Sequence, residues 1–356
     1  MARKDSLIRK DANKMRKYLI PNEGKFYKAN MHTHTTVSDG KFTPEEMKEL
    51  YKSHGYSILA YTDHQVMVPH PELADEDFLP IASYELAVNK TNPSGWPYTK
   101  TYHINFYAPT PDCSVSGTFC PNTIWLEHSK QYVTDEMRAG GMARHKYGKS
   151  FIQKLIDIAN DEGFLVCYNH PNWSLQNHED YSGLRGLWGV EWYNTGCERA
   201  GYHDTMQPII DLLGEGNRMV YPIAADDSHS AAGAFGGFVQ VKARELTYDC
   251  IFEALRRGEF YSSNGPEIYD LYVEDGKIFI KCSPVKVIFL CTDRRVIFRK
   301  NAPEGEMITE AEFDISEYIA GCSVATAEHN CYIRFDIKDG CEGNAHTRAY
   351  FIDELI

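Results

Sequence analysis

The chain is short of positive charge. Its 37 lysines and arginines face 50 aspartates and glutamates, a formal net charge of −13. Proteins that grip a nucleic-acid backbone concentrate cations, so a nucleic-acid polymer is not the expected partner. An anionic small molecule stays open, because bound divalent cations dominate local charge. No stretch approaches the roughly 18 apolar residues that span a bilayer, so no membrane partner is expected. The opening M-A-R-K-D-S-L-I-R-K-D-A-N-K lacks the apolar core of a secretory leader, and a cytoplasmic location is expected. The ten cysteines form no C-x-x-C pair and no zinc-finger spacing. Reduced, mostly buried thiols follow. There is no G-x-S-x-G elbow and no Walker-type phosphate loop. Nor is there a low-complexity tract or a repeat of roughly 20–50 residues.

What is present is core material. Hydrophobic residues make up 43% and aromatics 13% of 356 residues. That composition describes a globular protein too long for one core, so one large domain and one small one are expected. Residues 1–26 read as a charged surface lead-in. Met31 to Gly40 (M-H-T-H-T-T-V-S-D-G) follows an apolar run beginning at Phe26. His32 and His34 stand two apart, and on an extended strand they project from one face. Asp39 lies in a Ser-Asp-Gly turn that folds back over the strand end. Thr43-Pro44-Glu45-Glu46 is a helix start, with Thr as cap and Pro in the first position. Tyr56 to Thr62 is a buried strand ending at Asp63-His64.

The alternation continues. Phe78 to Leu86 carries Glu85, Tyr102 to Ala108 carries His103, and Phe164 to Asn169 leads into His170-Pro171. Lys149 to Glu162 and Asp204 to Gly214 have helical apolar spacing. Met219 to Ala225 is the last strand of the series, followed by Asp226-Asp227-Ser228-His229. Strands alternating with helices imply parallel strands. Polar residues at successive strand ends are what the mouth of an (α/β) barrel requires. Residues 109–147 interrupt the pattern as an insertion suited to a substrate loop. From residue 266 short alternating runs separated by turns predict a small antiparallel β-sandwich over 266–356. Its His329 and His346 form no cluster.

Gathered, the strand-end residues are His32, His34, Asp39, His64, Glu85, His103, His170, Asp227 and His229. Six imidazoles and three carboxylates exceed one tetrahedral ion's needs and point to two or three metals. Asp227 is preferred over Asp226 because only Asp227 stands two residues from His229. Imidazole with carboxylate suits Zn, Mn or Fe. Asp63, beside His64, is a candidate for orienting an imidazole.

H-T-H, S-D-G, T-D-H, the isolated Glu85, N-H-P and D-S-H occur in the order seen in the polymerase-and-histidinol-phosphatase (PHP) domain, which residues 27–265 resemble. The tail, opening on G-E-F-Y-S-S-N-G-P-E-I, resembles the added β-domain of the CehA/McbA-like metallohydrolase branch. The resemblance implies a distorted seven-stranded (β/α) barrel with a trinuclear site. His32, His34, Glu85 and Asp227 would hold the first ion, Glu85 bridging to the second with His103 and His170. Asp39, His64 and His229 would hold the third; many family members have histidine where Asp39 stands.

Metal ions lower the pKa of bound water and clamp phosphoryl oxygens, so no Ser or Cys nucleophile is needed. The expected function is a metal-dependent phosphoesterase acting on a small phosphorylated molecule, with a phosphomonoester favoured. Asp63 and His229 are the residues assigned to catalysis. Arg144, His145, Arg199 and His203 are the candidates for substrate binding; Lys146 and Arg185 are further possible phosphate holders. Trp173 is a candidate pocket wall. The alternatives are hydrolysis of a carboxylic ester, carbamate or amide, and a non-catalytic metal-binding association module. A homo-oligomer is compatible with the sequence.

Overall fold

The structure is a computed structural model and describes residues 16–91, 100–324 and 331–355. The elements run β1 (Lys17–Tyr18), β2 (Lys25–Asn30), α1 (Pro44–Lys52), β3 (Ile58–Tyr61), β4 (Leu79–Asn89), β5 (Thr101–Tyr107), α2 (Asp135–Gly140), α3 (Lys149–Asp161) and β6 (Leu165–Tyr168). They continue α4 (His178–Tyr181), β7 (Gly189–Asn194), α5 (Thr195–Arg199), α6 (Gln207–Gly214), β8 (Tyr221–Ala225), β9 (Phe238–Ala243), α7 (Tyr248–Arg257) and β10 (Phe260–Ser263). The C-terminal part holds β11 (Ile268–Glu274), β12 (Lys277–Val285), β13 (Val287–Thr292), β14 (Ile297–Asn301), β15 (Ile308–Asp314), α8 (Ser316–Val324), β16 (Tyr332–Lys338), β17 (Asn344–Thr347), β18 (Tyr350–Phe351) and α9 (Ile352–Leu355).

Local chemistry explains the elements that set the site. The side chain of Thr43 caps α1 by accepting from Glu46 N, and the Glu46 carboxylate accepts from Thr43 N in return. Pro44 occupies the first turn, where its missing N–H costs nothing. Thr247 caps α7, and Gly258 ends it in the left-handed conformation at φ 69°. These helices flank short strands that are buried along their whole length: β3, β6 and β8 have no exposed residue.

The architecture is mixed α/β, with one large mixed sheet and a separate four-stranded antiparallel sheet ordered β1-β11-β12-β15. Within the large sheet, β2-β3-β4-β5-β6-β7-β8 run as consecutive neighbours. The chain just beyond β8 then meets the chain just beyond β2. Thr33 bridges Ser228 in parallel, His34 N donates to Ser228 O at 3.0 Å and Asp227 N to His32 O at 2.9 Å. Not every strand in this series is parallel, as the alternation had predicted: β5 is antiparallel to both β4 and β6. The link from Asn89 to Thr101 falls short of the roughly dozen residues a crossover needs, so the chain must reverse.

The C-terminal strands β14-β13-β16-β17 extend the large sheet through pairing of β17 with β10. They share a core with the four-stranded sheet, built from Ile268, Leu271, Ile278, Ile280, Ile288, Leu290, Ile333, Phe335 and Ile337. Residues 17–20, expected to be a surface lead-in, differ from that expectation. β1 pairs with β11, and Leu19 and Ile20 are buried in the same core. His329 lies outside the described residues. His346 sits at the seam, its ring 4.3 Å from that of Trp192 and its Nδ1 2.6 Å from Asp336 Oδ1. No helix among the described residues is long and apolar enough to cross a membrane.

Candidate metal centre

The strand ends deliver the candidate ligands to one place. His32 and His34 follow β2, His64 follows β3, Glu85 lies within β4, His170 follows β6, and Asp227 and His229 follow β8. His103 arrives differently from the expectation. It lies near the beginning of the reversed β5, opposite Ala87. All nine candidates fall into four overlapping groups whose ligand atoms lie within 4.8 Å of one another: His34-Asp39-His64-His229, His32-His170-Asp227, His32-His34-Glu85 and His64-Glu85-His103.

Glu85 is the hub. Its Oε1 lies 3.0 Å from His103 Nδ1, 3.3 Å from His32 Nε2 and 3.3 Å from His170 Nε2, and its Oε2 lies 2.9 Å from His64 Nδ1. Asp227 Oδ1 lies 3.0 Å from His34 Nε2 and 3.4 Å from His32 Nε2. Asp39 Oδ1 lies 3.2 Å from His229 Nε2, and its Oδ2 3.7 Å from His64 Nε2. His64 therefore approaches Glu85 more closely than it does Asp39, so it stands between the second and third ligand groups implied by the resemblance.

Backbone strain gathers at the same rim. Gln65 (φ 65°), His170 (φ 22°) and Asp227 (φ 54°) all lie at positive φ. Such conformations cost of order 1–3 kcal/mol each and persist where surrounding structure demands them. Gly40 serves a related need, since a Cβ there would stand 2.3 Å from His34 O.

The electrostatics follow from burial among imidazoles. Burial alone would raise the carboxyl pKa of Glu85, but His103, His32 and His64 pull it well below the usual range. Asp227 behaves likewise, with His32, His34 and His170 outweighing burial. Burial lowers His34 to about 3, helped by the neighbouring His229 and His64. Burial opposes the charged form of His170 too, yet its hydrogen bond to Glu85 and the charges of Asp227 and Glu191 lift it to about 9. His229 also reaches about 9 against burial, through its bond to Asp39. Ionised carboxylates buried this deeply demand compensating positive charge.

A second layer holds these groups. Glu191, fully buried in β7, accepts from His32 Nδ1 at 2.7 Å through Oε1, and from His170 N at 3.0 Å and Asn194 Nδ2 at 3.0 Å through Oε2. Asn169 Nδ2 donates to Glu85 Oε1 at 2.9 Å. Asp226 turns away from the cluster, accepting from Tyr51 Oη, Thr195 Oγ1 and the backbone of residues 235–237. Asp63 differs from its expected role. Its carboxylate accepts from Thr35 N, Thr35 Oγ1, Ser38 N and Ser38 Oγ, so it braces the loop carrying His34 and Asp39 instead of orienting an imidazole. Glu191 escaped the sequence reading. Its only signal was a lone carboxylate inside the apolar run V-E-W-Y.

Above the cluster lies a cavity of about 720 Å³. The 109–147 insertion covers part of it and contributes Thr123, Trp125, His145 and Tyr147. Val37, Val66, Phe119, Ile124 and Met137 anchor the insertion, and Ser129 Oγ donates to Val37 O at 2.7 Å. Trp173 also lines the cavity. Of the four substrate-binding candidates, His145 lines it; Arg144 and Arg199 are exposed elsewhere, and His203 pairs with Glu198 at 2.5 Å outside it. Lys146 is exposed and Arg185 is engaged with Glu215 at 2.9 Å. Cations spaced along a loop in sequence point outward because desolvating them without a partner costs too much.

No family model and no curated protein matches the chain. Among solved structures, one that the chain resembles is a two-domain protein containing a predicted PHP-like metal-dependent phosphoesterase from Bacteroides vulgatus. The identity is 13%, the coverage 96% of this chain and 99% of that one, and the TM-score 0.40. Another is an amidohydrolase from Chromobacterium violaceum, with 14% identity, 65% and 96% coverage and a TM-score of 0.40. A third is a lesion-specific endonuclease from Pyrococcus furiosus, with 12% identity, 65% and 56% coverage and a TM-score of 0.36. At such identities, the case for function rests on this chain's own side chains.

Proposed function

We propose that this protein is a metal-dependent hydrolase of the PHP type, acting on a small phosphorylated molecule, with a phosphomonoester favoured. The observation that carries the reading is the convergence of nine ligand-type side chains into groups within 4.8 Å. The donor set fits divalent cations. His64 Nδ1 and Glu85 Oε2 are buried without a well-aligned hydrogen-bond partner, and such atoms call for an occupant. We read β2 to β8, with the Thr33–Ser228 bridge, as a distorted seven-stranded barrel, and residues 27–265 and 266–356 as its two domains. His32, His34, Glu85 and Asp227 would hold one ion, Glu85, His103 and His170 a second, and Asp39, His64 and His229 a third; Zn, Mn and Fe all suit these donors.

Ions held there would acidify water and offset charge developing on the oxygens of an ester. The chain's own groups supply the rest. Glu191 keeps the proton of His32 on Nδ1, so that Nε2 faces the cluster. Asp63 fixes the loop bearing His34 and Asp39. His229, half exposed at the cavity edge, is the imidazole placed to meet substrate. A second reading, hydrolysis of a carboxylic ester, carbamate or amide, is favoured by one feature: no Lys or Arg is found among the described residues lining the cavity.

The test is to load the purified protein with Mn, Zn or Fe and assay phosphate release from phosphomonoesters beside hydrolysis of aryl carboxylic esters. Phosphate release that disappears in His64→Ala is the expected result. Ester hydrolysis without phosphate release would select the second reading, and inactivity on both with metals bound would overturn both.

A further inference from the structure

The cavity wall carries information beyond the bond that is cleaved. Two indoles stand in it that a monomer would ordinarily cover, Trp125 at 56% and Trp173 at 40% exposure. The ring of Trp125 lies 5.6 Å from that of His64, and Trp173 lies 5.2 Å from His103 and 5.1 Å from His170. The indoles therefore flank the rim of the cluster on different elements, one from the insertion and one from the loop after β6. Ala87 and Val88 add apolar surface. Exposed aromatic pairs in a cleft are a stacking surface.

Two further observations restrict what can stack there. Among the described lining residues there is no Lys or Arg, so a second anionic group on the substrate would find no counter-ion away from the metals. Away from the ligand cluster, the polar side chains that line it carry no formal charge: Gln65, Asn89, Thr91, Thr123, Tyr147 and His145. His145 Nε2 donates to Thr118 O at 2.8 Å, which leaves Nδ1 as a lone-pair acceptor, and that atom is buried without a partner. Burial lowers the pKa of His145 and keeps it in this neutral state.

We propose that the part of the substrate that is not hydrolysed is an uncharged aromatic or heteroaromatic ring, stacked against Trp125 and Trp173. The proposal rests on the hydrolase reading only for which end of the ligand faces the metals; the ring site itself is a property of the wall.

The experiment uses the full chain with ¹⁵N-labelled tryptophan and one neutral aromatic probe, phenol. The protein has five tryptophans, and Trp125→Phe and Trp173→Phe assign two of the indole signals. Those two signals move on titration with phenol, and Trp125→Leu weakens phenol binding about 3- to 10-fold, the scale of one lost aromatic contact. Phenyl phosphate should then exceed glycerol phosphate in kcat/KM through a lower KM. Indole signals of Trp125 and Trp173 that stay fixed while phenol is titrated, or binding unaffected by Trp125→Leu, would overturn the proposal. Ring binding in a protein that hydrolyses no ester would overturn the function proposed above and leave the ring site standing.

Discussion

Glu191→Gln is the sharpest perturbation the structure offers, because it removes a charge and almost no volume. The carboxylate has two oxygens and three donors: His32 Nδ1 at 2.7 Å on one side, His170 N and Asn194 Nδ2, both at 3.0 Å, on the other. Glutamine supplies one oxygen and one NH2. If the oxygen faces His32, the NH2 points at two N–H donors. If it faces His170 and Asn194, the NH2 donates to His32 Nδ1 and drives the proton to Nε2, the atom 3.3 Å from Glu85 and 3.4 Å from Asp227. At least one donor conflict is unavoidable in either orientation, at about 1–3 kcal/mol. Residues that orient metal-binding imidazoles typically cost about 10- to 100-fold in affinity when lost, which agrees with that range. The assay is competition of Mn or Zn against a chromophoric chelator, with bound metal counted by elemental analysis. Loss of affinity for the ion that His32 helps to hold is expected, with the others retained. An affinity equal to that of the unaltered protein would refute the reasoning.

Three further outcomes follow from the same geometry. Asp63→Ala strips four donors in the loop of residues 35–38 of their acceptor; urea unfolding of the metal-free protein should show a loss of about 2–4 kcal/mol, most of it restored in Asp63→Asn. Gly40→Ala pushes a methyl against the His34 carbonyl, 2.3 Å away; a loss of about 1–3 kcal/mol and reduced metal occupancy are expected, and an unchanged melting temperature would count against the close approach. Burial raises Asp204 to about 7, with Asn172 N as its backbone donor and Oδ2 unpartnered. An acid whose folded pKa exceeds its unfolded one contributes stability that is present at low pH and lost as pH rises through the folded value. The protein should therefore lose about 2–3 kcal/mol between pH 5 and pH 8 that Asp204→Asn does not lose, as read from unfolding at the two pH values.

How much of this was legible beforehand depends on the range of the interactions involved. The helix starting at Thr43-Pro44 was legible because its capping box is closed within four residues. The separate antiparallel sheet was legible from alternating runs between turns. The reversal of β5 was not, since helix–strand alternation carries parallel direction only where the connection is long enough for a crossover. Asp63 was assigned to an imidazole because of its neighbour in sequence, whereas its donors lie 25 and 28 residues away. Residues 17–20 looked like surface because their partners in β11 lie some 250 positions further on, at Tyr272 and Val273.

Side-chain type and short spacing, which the sequence holds outright, sufficed to nominate the nine ligand-type residues and to prefer Asp227 over Asp226, because a two-residue step on an extended backbone decides which face a group shares. What stands behind and above them was decided only by tertiary structure. Glu191 reaches His32 across 159 positions, and the cavity takes its indoles from an insertion and from the loop after β6, while Arg144 and Arg199 face solvent. A buried charge or an exposed ring acquires meaning only from what the fold packs against it, and that is set by long-range closure, which no local pattern encodes.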